Sequence, residues 1–179
     1  MDKTKCKAEV DAETAKIDFA KSNYTVELTT NNGAIRVEFF TDKAPNHAKN
    51  FIALAKIGFF DGAIFHRIIK DFMIQGGCPQ GTGYGNGGYN INAEFNATKH
   101  VPGVLSMARS GDPNSASTQF FICLKAYPSL DGQYTAFGKV TDSASQDVVN
   151  AIGLVKTDRN DKPVEKVVIE KAAVTVTAK

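Results

Sequence analysis

Residues 65–77 read Phe-His-Arg-Ile-Ile-Lys-Asp-Phe-Met-Ile-Gln-Gly-Gly. The stretch begins like a buried strand but contains Arg67, whose guanidinium is always charged, carries five donors and accepts nothing. In an apolar strand such a group either points to solvent or faces an acceptor. Because Phe72, Met73 and Gln75 follow closely, the pattern indicates an apolar pocket with one strong donor at its rim. An edge strand with a solvent-facing arginine remains open from this stretch alone.

Six blocks of sequence follow one another along the chain. They read Phe-His-Arg-Ile-Ile (65–69), Phe-Met-Ile-Gln-Gly-Gly (72–77), Leu-Ser-Met-Ala (105–108), Gln-Phe-Phe-Ile (119–122), Leu-Asp-Gly (130–132) and Phe-Gly-Lys-Val (137–140). In order and spacing these blocks resemble the cyclophilins, a family of peptidyl-prolyl cis–trans isomerases. The resemblance covers about residues 24–176, which is nearly the whole chain.

The length and composition are typical of one globular domain. The chain has 179 residues, 42% of them hydrophobic and twelve of them phenylalanine, which is enough for a sizeable core. A net charge of +2 without a basic block predicts neither a nucleic-acid partner nor a membrane partner. The N-terminus has no apolar segment typical of an export signal, so we expect a cytoplasmic protein, with the removal of such a signal left open.

The hydrophobic periodicity predicts mostly short strands. Residues 24–30 and 34–40 alternate apolar and polar positions around an Asn-Asn-Gly turn at 31–33, and Asn-Gly is a strong hairpin signal. Many short strands closing around a core predict a mainly β fold, a barrel capped by helices. The resemblance implies an eight-stranded antiparallel β-barrel with two capping α-helices. Further strands are predicted at 62–69, 71–75, 104–108, 119–124, 135–140 and 164–176.

Two segments have helical rather than strand periodicity. Residues 44–56 place apolar side chains on one face, and Pro45 stands near the start, where proline is favoured in a helix. A second helix is predicted at about 145–152. Ser143 and Gln146 form a possible capping box at its start. These segments are the two expected capping helices.

Residues 1–22 lie outside the strand pattern. They are charged and rich in helix formers, and their only large hydrophobic side chains are Val10, Ile17 and Phe19. We therefore expect a helical or flexible N-terminal extension, followed by a cyclophilin-like isomerase domain at residues 23–179.

Other kinds of site lack the context that they need. Residues 83–88 match the G-x-G-x-x-G pattern of dinucleotide-binding proteins, but no helical period follows, and a glycine-rich loop also suits close approach of a peptide backbone. The three histidines and three cysteines show no ligand spacing, so no metal site is expected. Serine, histidine and aspartate occur without a nucleophile elbow. Strand alternation places His66 on the face opposite Arg67, where we expect a structural role.

The resemblance implies that Arg67 and Gln75 are the catalytic residues. Rotation about an X–Pro bond makes and breaks no covalent bond, so we expect neither a cofactor nor a metal. As the bond twists, the lone pair localises on the prolyl nitrogen, and a donor aimed at that atom stabilises the transition state specifically. Arg67 is implied as this donor, and Gln75 as the group that holds the peptide backbone and helps to orient Arg67.

The resemblance also assigns the substrate-binding residues by position. Ala108 and Gln119 are expected to border a neighbouring pocket for a preceding side chain, and the backbone of Arg109 to pair with the substrate chain. Tyr134 stands where many relatives carry histidine. The residues assigned to the apolar pocket for the proline ring are Phe72, Met73, Phe121 and Leu130.

Two positions depart from the cyclosporin-sensitive relatives. Ser129 occupies the place of their tryptophan, and Tyr134 that of their histidine, which resembles bacterial members. An indole offers both a large surface and an N–H donor, so we expect weak cyclosporin binding. The insertion after Arg109 also makes that loop one residue longer than in many relatives.

The implied function is peptidyl-prolyl cis–trans isomerisation. The expected partners are proline-containing peptides and unfolded or folding proteins, and we expect a monomer. The alternative is a non-catalytic module that grips proline-containing peptides on a cyclophilin scaffold. Retention of Arg67 and of the pocket residues favours the enzyme.

Overall fold

A curled antiparallel sheet of nine strands forms the body of the protein, which we describe from a computed structural model covering residues 1–179. The order across the sheet is β3-β9-β1-β2-β8-β6-β7-β5-β4 when the strands are numbered along the chain. The strands are β1 (Ser22–Thr30), β2 (Gly33–Phe39), β3 (Ala63–Ile64), β4 (Arg67–Ile69), β5 (Met73–Gly76), β6 (Val104–Met107), β7 (Phe120–Cys123), β8 (Ala136–Val140) and β9 (Val168–Ala178). The two edge strands, β3 and β4, are neighbours in the chain, so the sheet must curl until its edges meet as a barrel.

The predicted hairpin at the start of the domain is confirmed. Strands β1 and β2 pair antiparallel, with Thr30 opposite Gly33 at the turn. Gly33 has a φ of 127°, which a residue with a side chain rarely adopts. The Asn-Gly dipeptide therefore marks this turn because its glycine can adopt the positive φ that the turn requires.

The predicted strand at 62–69 is wrong as a single strand, and this explains why nine strands replace the expected eight. Strand β3 pairs with β9, whereas β4 pairs with β5, so the chain changes partner between them. At the break Phe65 is fully buried, and its N–H donates to the Val167 carbonyl at 3.0 Å. The next strand starts where the Ile68 N–H donates to the Asp161 carbonyl at 2.8 Å. Tertiary hydrogen bonds, which leave no local signal, set this break.

The chain forms three α-helices, α1 (Lys7–Thr14), α2 (Pro45–Lys56) and α3 (Ser143–Ile152), and a 3₁₀-helix at Pro128–Leu130. Helices α2 and α3 are the two expected capping helices. The predicted capping box at Ser143 is wrong, because Asp142 caps α3 and its carboxylate accepts the Ser145 N–H at 2.8 Å. None of the helices is both long and apolar enough to cross a bilayer.

Strands β5, β6 and β7 bury side chains on both faces of the sheet. On one face Ile74, Leu105 and Ile122 belong to the main core cluster of 30 residues. On the other face Met73 and Phe121 belong to a second, smaller cluster. Because side chains alternate along a strand, the same three strands supply the core and, on their outer face, an apolar surface.

The N-terminal segment packs against the body of the protein. Cys6, Val10 and Ile17 are buried in the main core cluster, and the Cys6 N–H donates to the Gly87 carbonyl at 3.1 Å. The carbonyl of Thr4 lies against the backbone of Gly88, where a Cβ atom would stand 2.6 Å from it. Residues 4–17 therefore brace the end of the glycine-rich loop at 76–88.

Replacing the buried Val10 with alanine should destabilise the whole protein. The side chain is 3% exposed, and losing its two methyl groups removes apolar burial and leaves a cavity, which we expect to cost about 2 kcal/mol of unfolding free energy. Urea denaturation would measure the change. Val176→Ala is the matched control, because that valine is 48% exposed. Equal stability of the Val10 variant and the wild type would show that the segment is not integrated in the fold.

Candidate active site

A cavity of about 210 Å³ opens on the outer face of β4, β5 and β7. Nine of the ten site residues predicted from the sequence surround it, and Gln119, the tenth, lies in an adjoining cavity. The lining residues are Arg67, Phe72, Met73, Gln75, Ala108, Arg109, Phe121, Leu130 and Tyr134. The chain therefore brings together side chains from four separate regions of the sequence, at 67–75, 108–109, 121 and 130–134.

The floor and walls of this cavity are apolar. Met73 and Phe121 are 2% and 5% exposed and form the floor. The Phe121 ring meets the Tyr134 ring edge to face at 5.9 Å, and the Phe72 ring lies 4.4 Å from that of Tyr127. Such contacts hold aromatic side chains in fixed orientations. The cavity is thus a largely apolar depression whose aromatic side chains pack against neighbouring rings, and it suits a compact ring.

Arg67 stands at the rim of the cavity, directly opposite Gln75 in the register of β4 and β5. Its side chain is about half exposed, and its Nε atom lies 3.8 Å from Asp161 Oδ2. This distance is an ion pair rather than a hydrogen bond. The pair biases the direction of the guanidinium and leaves its terminal amino groups available to a ligand. Asp161 was missed by the sequence interpretation, because it lies far away in the chain and no local pattern marks it.

The side chain of Gln75 is hydrogen-bonded to that of Gln119. Its Nε2 donates to Gln119 Oε1 at 3.0 Å, and no hydrogen bond joins it to Arg67. Gln119 Nε2 in turn donates to the carbonyls of Gly83 and Gly85, both at 2.8 Å. The amide of Gln75 is therefore oriented by the glycine-rich loop, and its own carbonyl oxygen remains free to accept from a ligand.

The glycine-rich loop is wrapped around the sulfur of Cys78. The Gly83 N–H donates to Cys78 Sγ at 3.2 Å. Burial alone would raise the pKa of this thiol, but hydrogen bonds from the backbone of Gly85, Gly83 and Thr82 outweigh it and lower the pKa. No helix opens at 83–88, so the loop lacks the strand-to-helix context of a dinucleotide site. Through the carbonyls of Gly83 and Gly85 it serves as a scaffold for Gln119.

A second cavity of about 330 Å³ adjoins the first and shares Gln75, Ala108 and Arg109 with it. Gln119 lies here, beside the glycine-rich loop. The guanidinium of Arg109 donates to the Gln133 carbonyl through Nε at 3.0 Å and Nη2 at 2.9 Å, and it covers the Tyr134 ring at 4.6 Å. The side chain of Arg109, which lines both cavities, is therefore held in place by Gln133 and Tyr134.

A serine, a histidine and an aspartate do meet in this protein, behind the apolar floor. His100 Nε2 lies 2.9 Å from Ser106 Oγ, and His100 Nδ1 lies 3.1 Å from Asp131 Oδ1. Ser106 is fully buried, so no substrate can reach its hydroxyl. The His100 ring lies nearly parallel to that of Phe121 at 6.2 Å. The trio supports the floor of the cavity and is not a nucleophilic triad.

His66 lies in the break between β3 and β4, so the alternation argument that placed it opposite Arg67 fails. The ring is buried, and neither of its nitrogens has a hydrogen-bond partner. Burial, followed by the charges of Arg67 and Lys162, lowers the pKa of His66 to about 4. The imidazole is therefore neutral at physiological pH.

Comparison with known proteins gives consistent matches. The sequence model of the family described as cyclophilin type peptidyl-prolyl cis-trans isomerase/CLD matches residues 25–174. A peptidyl-prolyl cis-trans isomerase of Synechococcus elongatus is 49% identical over 125 residues, which is 70% of this chain and 86% of that protein. A probable peptidyl-prolyl cis-trans isomerase A of Mycobacterium leprae is 41% identical over 170 residues, which is 86% of this chain and 93% of that protein.

A solved structure has the same fold. It is the crystal structure of a Cryptosporidium parvum cyclophilin type peptidyl-prolyl cis-trans isomerase in the presence of the dipeptide Ala-Pro. The TM-score is 0.79 at 35% sequence identity, and the match covers 84% of this chain and 98% of that one.

Proposed function

This chain belongs to the cyclophilin-type peptidyl-prolyl cis–trans isomerases, and we propose that it performs the isomerisation in the cavity beneath Arg67. The protein accelerates rotation about X–Pro peptide bonds and binds proline-containing peptides. The observation that best supports the proposed location is the position of Arg67 at the rim of a largely apolar cavity, because Arg109, the other guanidinium there, already donates to the Gln133 carbonyl.

The chemistry requires only that a twisted amide be held better than a planar one. Rotation about a peptide bond has a barrier of ~18–20 kcal/mol, because the nitrogen lone pair is delocalised into the carbonyl group. At X–Pro bonds the two isomers differ by only ~0.5–1 kcal/mol, yet they interconvert in tens to hundreds of seconds. A site that stabilises the twisted state alone therefore raises the rate without a nucleophile.

Arg67 is proposed as the group that recognises the twisted state. The localised lone pair of the prolyl nitrogen accepts a hydrogen bond that the planar amide cannot accept. The guanidinium can give this bond at any physiological pH, since it never loses its charge. The ion pair with Asp161 supports this assignment, because it reduces the number of orientations available to the fork before substrate binds.

Gln75 and the apolar residues are proposed to hold the substrate still on one side of the rotating bond. The free carbonyl oxygen of Gln75 is suited to accept a backbone N–H of the peptide, while Gln119 fixes its amide nitrogen. The proline ring would rest on Met73 and Phe121. With the ring anchored, rotation carries the preceding carbonyl around a stationary proline.

Exchange spectroscopy on an Ala-Pro-containing peptide would test the proposal. A substoichiometric amount of the protein should raise cis–trans exchange from the spontaneous time scale of roughly tens of seconds to one faster than about a second. An equal concentration of heat-unfolded protein is the control. Binding of the peptide with unchanged exchange would instead support the non-catalytic binding module.

We propose that the physiological substrates include unfolded and folding proteins. Slow prolyl isomerisation limits the folding of many chains, and the cavity is shallow and open, which suits an extended segment more than a particular small molecule. We also propose that the protein acts as a monomer in the cytoplasm.

Cyclosporin is proposed to bind weakly because the rim lacks an indole. Ser129 is exposed in the 3₁₀-helix, next to Leu130, which lines the cavity. Ser129→Trp should tighten binding by about tenfold or more, since a tryptophan adds both surface and an N–H donor. Isothermal titration would measure it, with Ser143→Trp on α3 as the control. A nanomolar dissociation constant for the unaltered chain would contradict this proposal.

A further inference from the structure

A third cavity, of about 670 Å³, lies on the other side of Arg67 from the proline pocket. Arg67 and Gln75 line both cavities, so the two are continuous along the rim. The loop that carries Asn160 and Lys162 forms the outer wall. The lining residues are His66, Arg67, Gln75, Gly81, Thr82, Gly83, Tyr84, Asn160 and Lys162. A peptide seated in the proline pocket can therefore place a nearby side chain in this cavity.

The charge of this cavity is positive. Arg67 and Lys162 line it and no carboxylate does. The Lys162 ammonium forms no ion pair with any carboxylate of the chain. The cavity thus presents two cationic groups and the amide of Asn160, a set that suits an anion.

Two carboxylates lie close to this cavity without lining it. Asp158 accepts the backbone N–H groups of Asn160 and Lys162 at 2.8 and 3.1 Å, and so it holds the turn that presents them. Asp161 lies beside Arg67 at 3.8 Å without lining the cavity. Asp161 therefore competes for one of the two cations. The backbone N–H groups of Asn160 and Lys162, and then the Lys162 charge, lower the pKa of Asp158, but no carboxylate forms an ion pair with Lys162.

The inner wall contains a further unsatisfied group. Both ring nitrogens of His66 are buried without a partner, and the ring lies against Gly83. Its low pKa has burial as the main cause and the charges of Arg67 and Lys162 as the next. The imidazole is therefore neutral, and it contributes to this wall one unpaired N–H donor and one unpaired acceptor rather than a charge.

We propose that this cavity is an anion subsite for the substrate, which receives the carboxylate or phosphate of an acidic or phosphorylated residue close to the proline. The inference rests on the proposed function of the adjoining cavity and specifies which substrates it prefers. Arg67 would contact the anion from one side and Lys162 from the other. The enzyme would thus favour segments in which a negative charge accompanies the proline.

Peptide series provide the test. We would compare peptides built around one Ala-Pro core, in which alanine is replaced by glutamate or by phosphoserine at one flanking position at a time, on either side of the core. At one position or more, glutamate should raise kcat/KM roughly twofold to fivefold over alanine at low salt, the range typical of one exposed ion pair. Phosphoserine should exceed glutamate, because it carries about −1.5 to −2 charges. A larger gain for glutamate would assign the subsite to carboxylates.

Variants locate the effect. In Lys162→Gln the ratio of kcat/KM for the acidic peptide to kcat/KM for the neutral peptide should fall towards one. Lys166→Gln is the matched control, because it removes the same charge four residues away, where Lys166 lines a different cavity. In Asp161→Asn, which keeps a residue tolerant of its φ of 61°, the ratio should rise as the competing carboxylate is removed.

Failure of the subsite proposal can be distinguished from failure of the isomerase proposal. Turnover of the alanine peptide reports on the isomerase, whereas the ratio between peptides reports on the subsite. If no peptide turns over, the same ratio can be measured as relative affinity by NMR titration. A ratio of one between the acidic and the neutral peptide in the wild type would overturn the subsite proposal. An equal fall of this ratio in the Lys166 and Lys162 variants would overturn it as well. The ratio should also shrink as salt shortens the screening length from about 10 Å at 0.1 M to about 3 Å at 1 M.

Discussion

Replacing Arg67 with alanine should lower kcat/KM for an Ala-Pro peptide by about 10²–10³, which corresponds to a loss of about 3–4 kcal/mol of transition-state stabilisation. The loss is large because the guanidinium is the only cation at the rim of the proline cavity other than Arg109, which is already bonded to the Gln133 carbonyl. Peptide affinity should fall much less, since the apolar floor remains. A large loss of rate with a small loss of affinity is the result expected when the removed interaction is made mainly in the transition state.

Exchange spectroscopy and a binding titration on the same peptide would separate these two effects. Arg67→Lys is informative, because it keeps a charge but removes the planar fork, and we expect only partial recovery of the rate. Arg36→Ala is the control for loss of an arginine elsewhere, since that guanidinium contacts Glu27 on the neighbouring strand. A rate within a few-fold of wild type for Arg67→Ala would remove this residue from the mechanism.

Replacing Phe51 with alanine should have the largest effect on stability, about 3–5 kcal/mol of unfolding free energy. The side chain projects from α2 and is 1% exposed. Its ring centroid lies 4.8 Å from that of Phe60, 5.0 Å from Phe120 and 5.5 Å from Phe137. Deleting the ring would therefore leave a cavity at the point where a capping helix meets the barrel.

Equilibrium unfolding in urea would measure this loss as a lower midpoint at an unchanged slope. Tyr84→Ala is the matched control, because it deletes an aromatic ring that is 96% exposed. Phe51→Leu should lose less than the alanine variant, since a leucine fills part of the space. Comparable stability of the Phe51 and Tyr84 variants would show that the aromatic cluster does not hold the helix to the barrel.

The parts of the fold that have local causes could be predicted from the sequence. Gly33 in the Asn-Gly turn has a positive φ, and α2 begins at Pro45. The turn and the start of the helix are therefore both marked by residue type. Alternation along β5 and β7 separates the two faces of the sheet, but the assignment of Met73 and Phe121 to the proline pocket came from the resemblance to the cyclophilins. These features depend on neighbours within a few residues.

The features that could not be predicted depend on contacts between distant segments. The break at Phe65 arises because two different strands offer hydrogen bonds on either side of it. Asp161 lies beside Arg67 although the two are far apart in the sequence, and Gln75 is hydrogen-bonded to Gln119 in a different region of the chain. Hydrophobic periodicity, which has a period of two residues in strands and 3.6 in helices, carries no information about contacts between residues that are distant in the sequence.

The anchoring of the glycine-rich loop has a thermodynamic consequence for substrate binding. Glycine-rich segments have high conformational entropy, and ordering one during binding would weaken affinity. Here Cys78 Sγ receives the Gly83 N–H near one end, and the Cys6 N–H holds the Gly87 carbonyl near the other. The loop therefore loses its conformational entropy when the chain folds. A peptide that binds beside it does not need to order it.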